Sequence, residues 1–321
     1  MLKDGWEARK VVVVGAGAVG STFAYALAQS GLAEEIMLLD ANQELALGQV
    51  LDLAHGLPYY PAVNISVGER TDYQDADVIV ITAGAKQKPG QSRLALLQRN
   101  AAIIEEIVDD IVAQGSEGII VVVTNPVDVL THLAHTRSSW ERGRVIGSGT
   151  VLDSARFRYL LSKQCNVDVH NVHAYVLGEH GDSEVAAWSM THIGGMAVDD
   201  YCEKCGGCEG WDKVKRDIEG AVKRSAYHII DYKGATNYAV GLTLVRIVGA
   251  ILRNERSVLT VSVPLEGEYG LRDVSLGVPS IVSRDGVEHI MEASLSTDER
   301  ESLIASASIL KESIQALERS R

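Results

Sequence analysis

The sequence has no apolar run approaching the roughly eighteen residues of a membrane-spanning helix; the Val/Ile runs at 11–14 and 119–123 are strand-length. Residues 1–10 mix charges with Trp6 and lack an apolar core, so they are not expected to be a secretory signal peptide. Cysteine is scarce. Four in the chain, three of them between 202 and 208, do not describe the disulfide scaffold of a secreted domain, and a cytoplasmic protein is expected. Positive charge is also short: 30 Lys and Arg stand against 43 Asp and Glu, a formal charge of −13. The basic residues are scattered, so the concentrated basic face that a phosphate backbone requires is missing and no nucleic-acid partner is expected. An acidic surface repels anions at long range, so an anionic substrate would need arginines close to it. Repeats and low-complexity tracts are absent. At 46% hydrophobic and 23% charged residues the composition is that of a globular protein rather than a disordered one, and 321 residues suit two domains.

The first half alternates β-rich runs with helical stretches. Strands are expected at 10–15, 35–40, 77–82, 118–124 and 144–147, and helices at 18–30, 43–55, 92–114 and 127–135. The strands are nearly continuous Val, Ile and Leu, as when both faces of a parallel sheet are covered. This rhythm predicts an α/β, doubly wound parallel sheet. After about residue 149 the rhythm changes to a helix at 152–164, a strand at 171–177, a long helix at 235–254, strands near 258–263 and 274–282, and a C-terminal helix at 297–319. The expected division is residues 1–148 and 149–321, the second an α+β domain.

Gly15-Ala16-Gly17-Ala18-Val19-Gly20 matches G-x-G-x-x-G, follows a strand and opens a helix, and Asp40 ends the next strand twenty residues after Gly20. In that context the pattern is specific for a dinucleotide. Gly15 permits the tight turn, Gly17 lets the backbone approach the pyrophosphate, and Gly20 lets helix pack on strand. Asp40 would accept the ribose hydroxyls and repel a 2′-phosphate, so the expected cofactor is NAD rather than NADP.

Past the division lies Leu177-Gly178-Glu179-His180-Gly181-Asp182-Ser183. A histidine between glycines at a strand end faces a cleft, which makes His180 the acid–base candidate. A carboxylate partner would favour its charged form, and Asp153 and Asp182 are both candidates by spacing. Arg93 follows a loop, 84–92, rich in glycine and long polar side chains, that reads as a lid. Asp153 and Arg156 share a helix face at i and i+3, where an ordinary ion pair is the competing reading.

These segments together resemble the lactate/malate dehydrogenase family over nearly the whole chain. GAGAVG, Asp40, TAGAKQKPGQSR, Val123-Thr124-Asn125-Pro126, LDSARFR and GEHGDS occur in the family's order. The resemblance implies a Rossmann sheet and a catalytic role for His180 with Asp153 as its partner. It implies that Arg156 grips the substrate carboxylate and Arg93 polarises the ketone. Asn125 would contact substrate and cofactor, and Thr236 would line the substrate pocket. Gly84, Ala85, Val123 and Ser148 join Gly15, Gly17, Val19, Gly20 and Asp40 as implied NAD contacts.

Gln87 stands where malate-specific members carry an arginine. A neutral side chain leaves the second carboxylate of oxaloacetate unpaired, so pyruvate and L-lactate are the expected substrate pair, with oxaloacetate the alternative. A non-catalytic NAD sensor would have no reason to keep His180, Asp153, Arg93 and Arg156 together. Arg158 and His173 resemble the paired basic residues with which bacterial members bind fructose 1,6-bisphosphate between subunits, so that activator is expected, with a homotetramer implied by the resemblance. Cys202, Cys205 and Cys208 have spacing that suits a metal or cluster but lack a nearby fourth ligand, so they read as thiols of a surface loop and no metal is expected. Trp188 and Trp211 are expected to pack in cores or contacts rather than to bind ligands.

Overall fold

The computed structural model describes residues 8–85, 92–205 and 210–320. In the first half, β1 (Lys10–Val14) leads into α1 (Ala18–Ser30) and β2 (Glu35–Leu39) into α2 (Gln43–His55). There follow β3 (Asn64–Val67), β4 (Val78–Ile81), α3 (Arg93–Ala113), β5 (Ile119–Val122), α4 (Val127–Ser138) and β6 (Val145–Gly147). These strands run parallel in the spatial order β6-β5-β4-β1-β2-β3. The winding reverses between β1 and β4, which opens a crevice at the carboxyl ends of the strands. The pleat explains the unbroken apolar runs. Val12, Val14, Ile79, Ile81, Ile120 and Val122 face one core with α3 and α4, while Val11, Val13, Val78, Val80, Ile119 and Val121 face another with α1.

The strand β3 is an addition to the expected set. Only Ile65 of its four residues is buried, so it has no apolar run to read.

The second half comprises α5 (Val151–Gln164), β7 (Val172–His173), β8 (Val176–Leu177), β9 (Val185–Ala186), β10 (His192–Ile193), β11 (Met196–Ala197) and α6 (Val198–Cys205). Then come α7 (Trp211–Lys233), α8 (Tyr238–Leu252), β12 (Ser257–Leu259), β13 (Ser262–Glu266), β14 (Arg272–Gly277), β15 (Ser280–Ser283), β16 (Gly286–Ile290) and α9 (Thr297–Arg319). Each long strand expected here is divided. The 171–177 run becomes β7, paired with β10, and β8, paired with β9. The 258–263 run becomes β12 and β13, in different sheets, and 274–282 breaks at Pro279, which has no N–H to continue a ladder.

The halves share one sheet. β13 pairs antiparallel with β6 at Ser262 and Gly147, and β14 extends the edge. From the other side α8 crosses α1 so closely that a Cβ on Gly241 would stand 3.0 Å from Thr22 Cγ2. No helix among the described residues is long and apolar enough to cross a membrane.

Candidate active site

The turn after β1 is built from three glycines with different roles. Gly15 has φ +110°, donates its N–H to the Leu39 carbonyl at 2.7 Å, and has Ala83 N 2.6 Å from where a Cβ would be. A Cβ on Gly20 would lie 1.8 Å from the Gly15 carbonyl oxygen. These two are required by the protein's own packing. Around Gly17 nothing lies within 4 Å of that position, and Gly17 starts α1 without a side-chain cap. The open cradle in front of the first-turn N–H groups, beside half-buried Val19, fits the pyrophosphate of a dinucleotide. Asp40 also braces the turn itself, since its Oδ2 accepts the Ala16 N–H at 2.7 Å and its Oδ1 the Asn42 N–H at 2.8 Å. A carboxylate oxygen has two acceptor sites, so each keeps one for a ribose hydroxyl.

The neighbouring strand ends supply the rest of the crevice. The Val123 N–H bonds to Ile81 at 2.9 Å, and the Ser148 N–H to Val122 at 2.8 Å, which set both residues at the carboxyl end of the sheet. A Cβ on Gly84 would lie 2.4 Å from Thr124 Cγ2. Asn100, 2% exposed, belongs to no sequence motif. Its Oδ1 accepts the Ala85 N–H and its Nδ2 donates to the Asn125 carbonyl, each at 2.8 Å, tying the chain leaving β4 to the Asn125–Pro126 turn. Gln87 lies outside the described residues.

His180 leaves β8 through Gly178, whose φ of +89° and paired bonds to Gly277, both 2.9 Å, turn the chain out of the sheet. The Glu179 N–H goes to Ser306 Oγ and the His180 N–H to Asp128 Oδ2, each at 2.8 Å. From the opposite side the first turn of α5 presents Asp153, whose Oδ2 is 2.5 Å from His180 Nδ1 and whose Oδ1 accepts Arg156 Nη1 at 2.7 Å. The choice left open between two carboxylates therefore falls on Asp153. Asp182 accepts the Tyr227 hydroxyl at 2.9 Å instead. The contact between Asp153 and Arg156 is real, and it is one arm of a chain that ends on the imidazole.

The electrostatics follow from burial. Asp153 is 1% exposed, and desolvation alone would raise it; the cations His180 and Arg156 overcome that and hold it below the usual carboxylate range. Burial likewise opposes a charged imidazole, but Asp153 and, more weakly, Asp128 push His180 up to about 9. Asp128, 2% exposed, is raised by burial to about 6. Glu184, four residues beyond His180, is 6% exposed and is pushed up to about 8 by burial and by Asp153.

Arg93, Asn125, Asp153, Arg156 and His180 line one cavity of about 860 Å³. Arg93 sits exposed at the first position of α3, below the Ser92 cap. Lys223, Tyr227 and Ile230 of α7 complete the wall, a contribution that no motif in the sequence marks. Thr236, in the α7–α8 connection, is half-buried and is not among the residues lining this cavity. Arg158 and His173 lie together at the far side of α5: Arg158 Nε donates to the Val172 carbonyl at 2.8 Å, and His192 stands opposite His173 across the β7–β10 pair. Trp188 stacks edge-on with Phe157 and Trp211, at 4.7 and 5.5 Å, in a packed cluster. The expected placement of the cysteines on a surface loop is corrected by the structure. Cys202 and Cys205 are on α6 rather than a loop, and Cys202 is 5% exposed, with its Sγ 4.0 Å from that of Cys165. Helical periodicity turns Cys202 into the core, a turn that spacing between cysteines alone does not reveal. Cys208 lies outside the described residues.

Comparison with known proteins agrees with this arrangement. The family model for the lactate/malate dehydrogenase NAD binding domain matches residues 9–147, and that for the lactate/malate dehydrogenase alpha/beta C-terminal domain matches residues 150–320. An L-lactate dehydrogenase of Treponema denticola is 60% identical over 95% of this chain and 96% of its own. An L-lactate dehydrogenase of Acetivibrio thermocellus is 50% identical, over 97% and 98%. The crystal structure of the minor L-lactate dehydrogenase of Enterococcus mundtii in its ligands-bound form superposes with a TM-score of 0.93 at 45% identity, covering 98% and 99% of the two chains. With a glycine cradle shaped for a dinucleotide and a carboxylate–imidazole couple beside it, the chain belongs to the lactate/malate dehydrogenase family and is an NAD-dependent oxidoreductase.

Proposed function

We propose that the chain interconverts pyruvate and L-lactate. The observation that carries this reading is the line of contacts Arg156–Asp153–His180 at the wall of the cavity. It sets a fixed cation for a carboxylate next to an imidazole that is protonated at neutral pH. With Nδ1 occupied by Asp153, His180 offers Nε2 to the substrate oxygen and gives it a proton in reduction or takes one in oxidation. Arg156 holds the substrate carboxylate through its guanidinium fork. Arg93, at the start of α3 on the cavity wall, faces the ketone, and its charge counters the alkoxide that develops in a water-poor pocket. Asn125 orients the substrate beside the cofactor; for Thr236, which does not line the cavity, a substrate contact rests on the family resemblance alone.

When bound, NADH supplies the hydride that reduces the ketone carbon. Gly15, Gly17, Val19 and Gly20 hold its pyrophosphate, Asp40 its ribose, and Gly84, Ala85, Val123, Asn125 and Ser148 its nicotinamide half. We keep the functional division at 148/149, with the nucleotide cradle before it and the acid–base couple after it.

The choice of lactate over malate rests on Gln87 and on the L-lactate dehydrogenases among the relatives. Activation by fructose 1,6-bisphosphate at Arg158 and His173 is supported by the proximity of those two residues and of His192, and a homotetramer by the family resemblance alone. NADH oxidation measured with pyruvate against oxaloacetate tests the proposal. A higher kcat/KM for oxaloacetate would overturn it.

A further inference from the structure

We propose that Cys165 and Cys202 form a redox-active dithiol whose disulfide clamps the end of the catalytic helix α5 to α6. Their sulfurs are 4.0 Å apart although the residues are 37 positions apart in sequence. Both are buried, at 8% and 5% exposure, in a cluster with Phe157, Leu161, Val172, Val198 and Ile218. A disulfide requires about 2.05 Å between the sulfurs, so closure asks for an approach of about 2 Å, within the range of side-chain rotation. Cys165 is the residue that caps α5, the helix whose first turn carries Asp153 and which continues to Arg156. A bond there fixes the far end of the element that positions the acid–base couple.

Burial among apolar side chains shields the pair, so it reacts only when a small oxidant reaches it. With hydrogen peroxide the step balances. The first sulfur is oxidised to a sulfenic acid as the peroxide O–O bond breaks and one water leaves. The second sulfur, losing its proton, displaces the hydroxyl as another water and forms the S–S bond. Two thiols and one peroxide yield one disulfide and two waters. Cys205, one turn along α6, is exposed and has its Sγ on the Cys202 carbonyl at 3.5 Å, which makes it the internal control.

The test is peroxide treatment of the purified full chain, removal of the oxidant with catalase, and thiol titration in denaturant. The chain has four cysteines, so Cys205→Ser/Cys208→Ser retains only Cys165 and Cys202. The double variant should titrate both thiols before treatment and neither after, yield a linked peptide on digestion, and regain both thiols with a reductant. The same linked peptide should form in the unaltered chain, so the result does not depend on the variant's folding. The clamp should raise the Tm of the oxidised double variant over its reduced form by several degrees. Persistence of both thiols at a peroxide dose that oxidises Cys205, a cross-link between chains, or zinc held in stoichiometric amount by these sulfurs would overturn the proposal.

Discussion

The carboxylate of Asp128, on α4, accepts the main-chain N–H of His180 at 2.8 Å. This bond orients the backbone of the loop, whereas Asp153 orients the ring. Removing the acceptor leaves a buried N–H unpaired and lets the imidazole drift from the substrate oxygen. Asp128→Ala should therefore lower kcat/KM for pyruvate by about 10²-fold, the cost of misplacing a reacting group by about an ångström. Asp128→Asn keeps an oxygen that can accept the N–H and should retain most of the activity. Steady-state kinetics of the two variants distinguish orientation from charge.

The pH dependence follows from His180. Its folded value is raised to about 9, because Asp153 outweighs burial. Reduction needs the protonated ring, so kcat/KM for pyruvate should be level from neutral pH to about 9 and then fall about tenfold per unit. Oxidation of lactate needs the neutral ring and should rise with pH to the same point. In Asp153→Asn the carboxylate is gone and only the weaker pull of Asp128 opposes burial, so the reduction limb should move to lower pH. Activity on pyruvate at pH 7 should drop on the order of 10²–10⁴-fold. A pH–rate profile in both directions checks the sign.

The residues legible in the sequence are those whose chemistry is local. Gly15 to Asp40 form one β-α-β unit, and the Gly178–Gly181 run carries its own turn signals, so type and spacing announce them. Asp128 meets His180 across 52 positions, Asn100 meets Asn125 across 25 and Cys165 meets Cys202 across 37. Nothing near those residues in the chain encodes such meetings; they arise from how α3, α4 and α6 pack. Glu184 is adjacent to a recognisable motif and is still silent in the sequence, because only burial distinguishes it from a surface glutamate. The splitting of the later strands has the same origin: periodicity reports an apolar run but not which sheet each half joins.

Gln87→Arg tests substrate choice directly. An arginine would pair the second carboxylate of oxaloacetate, which the native glutamine leaves desolvated. A gain of about 3 kcal/mol corresponds to on the order of 10²-fold in the ratio of kcat/KM for oxaloacetate to that for pyruvate. An unchanged ratio would remove Gln87 from the specificity argument.

The proposed activator site at Arg158 and His173 predicts that fructose 1,6-bisphosphate should lower the half-saturating pyruvate concentration. Arg158→Gln, which removes the guanidinium fork, should abolish the response. An identical pyruvate half-saturation with and without the sugar bisphosphate would exclude the activator site.

Assembly is predicted from apolar side chains that the single chain leaves in water. Leu47 and Leu51 stand one turn apart on α2 at 49% and 50% exposure. Tyr238 and Leu242 repeat the spacing on α8 at 71% and 65%. Residues at i and i+4 share a helix face, and exposed apolar faces of this kind are candidate subunit contacts. Because α8 packs on α1, the helix that carries the pyrophosphate cradle, a contact there would also brace the nucleotide site. Leu242→Glu places a charge in such a contact and should shift the molecular mass measured by light scattering toward that of a smaller assembly, with a lower affinity for NADH. A variant that keeps both the native mass and the native NADH affinity would show that this stripe faces solvent.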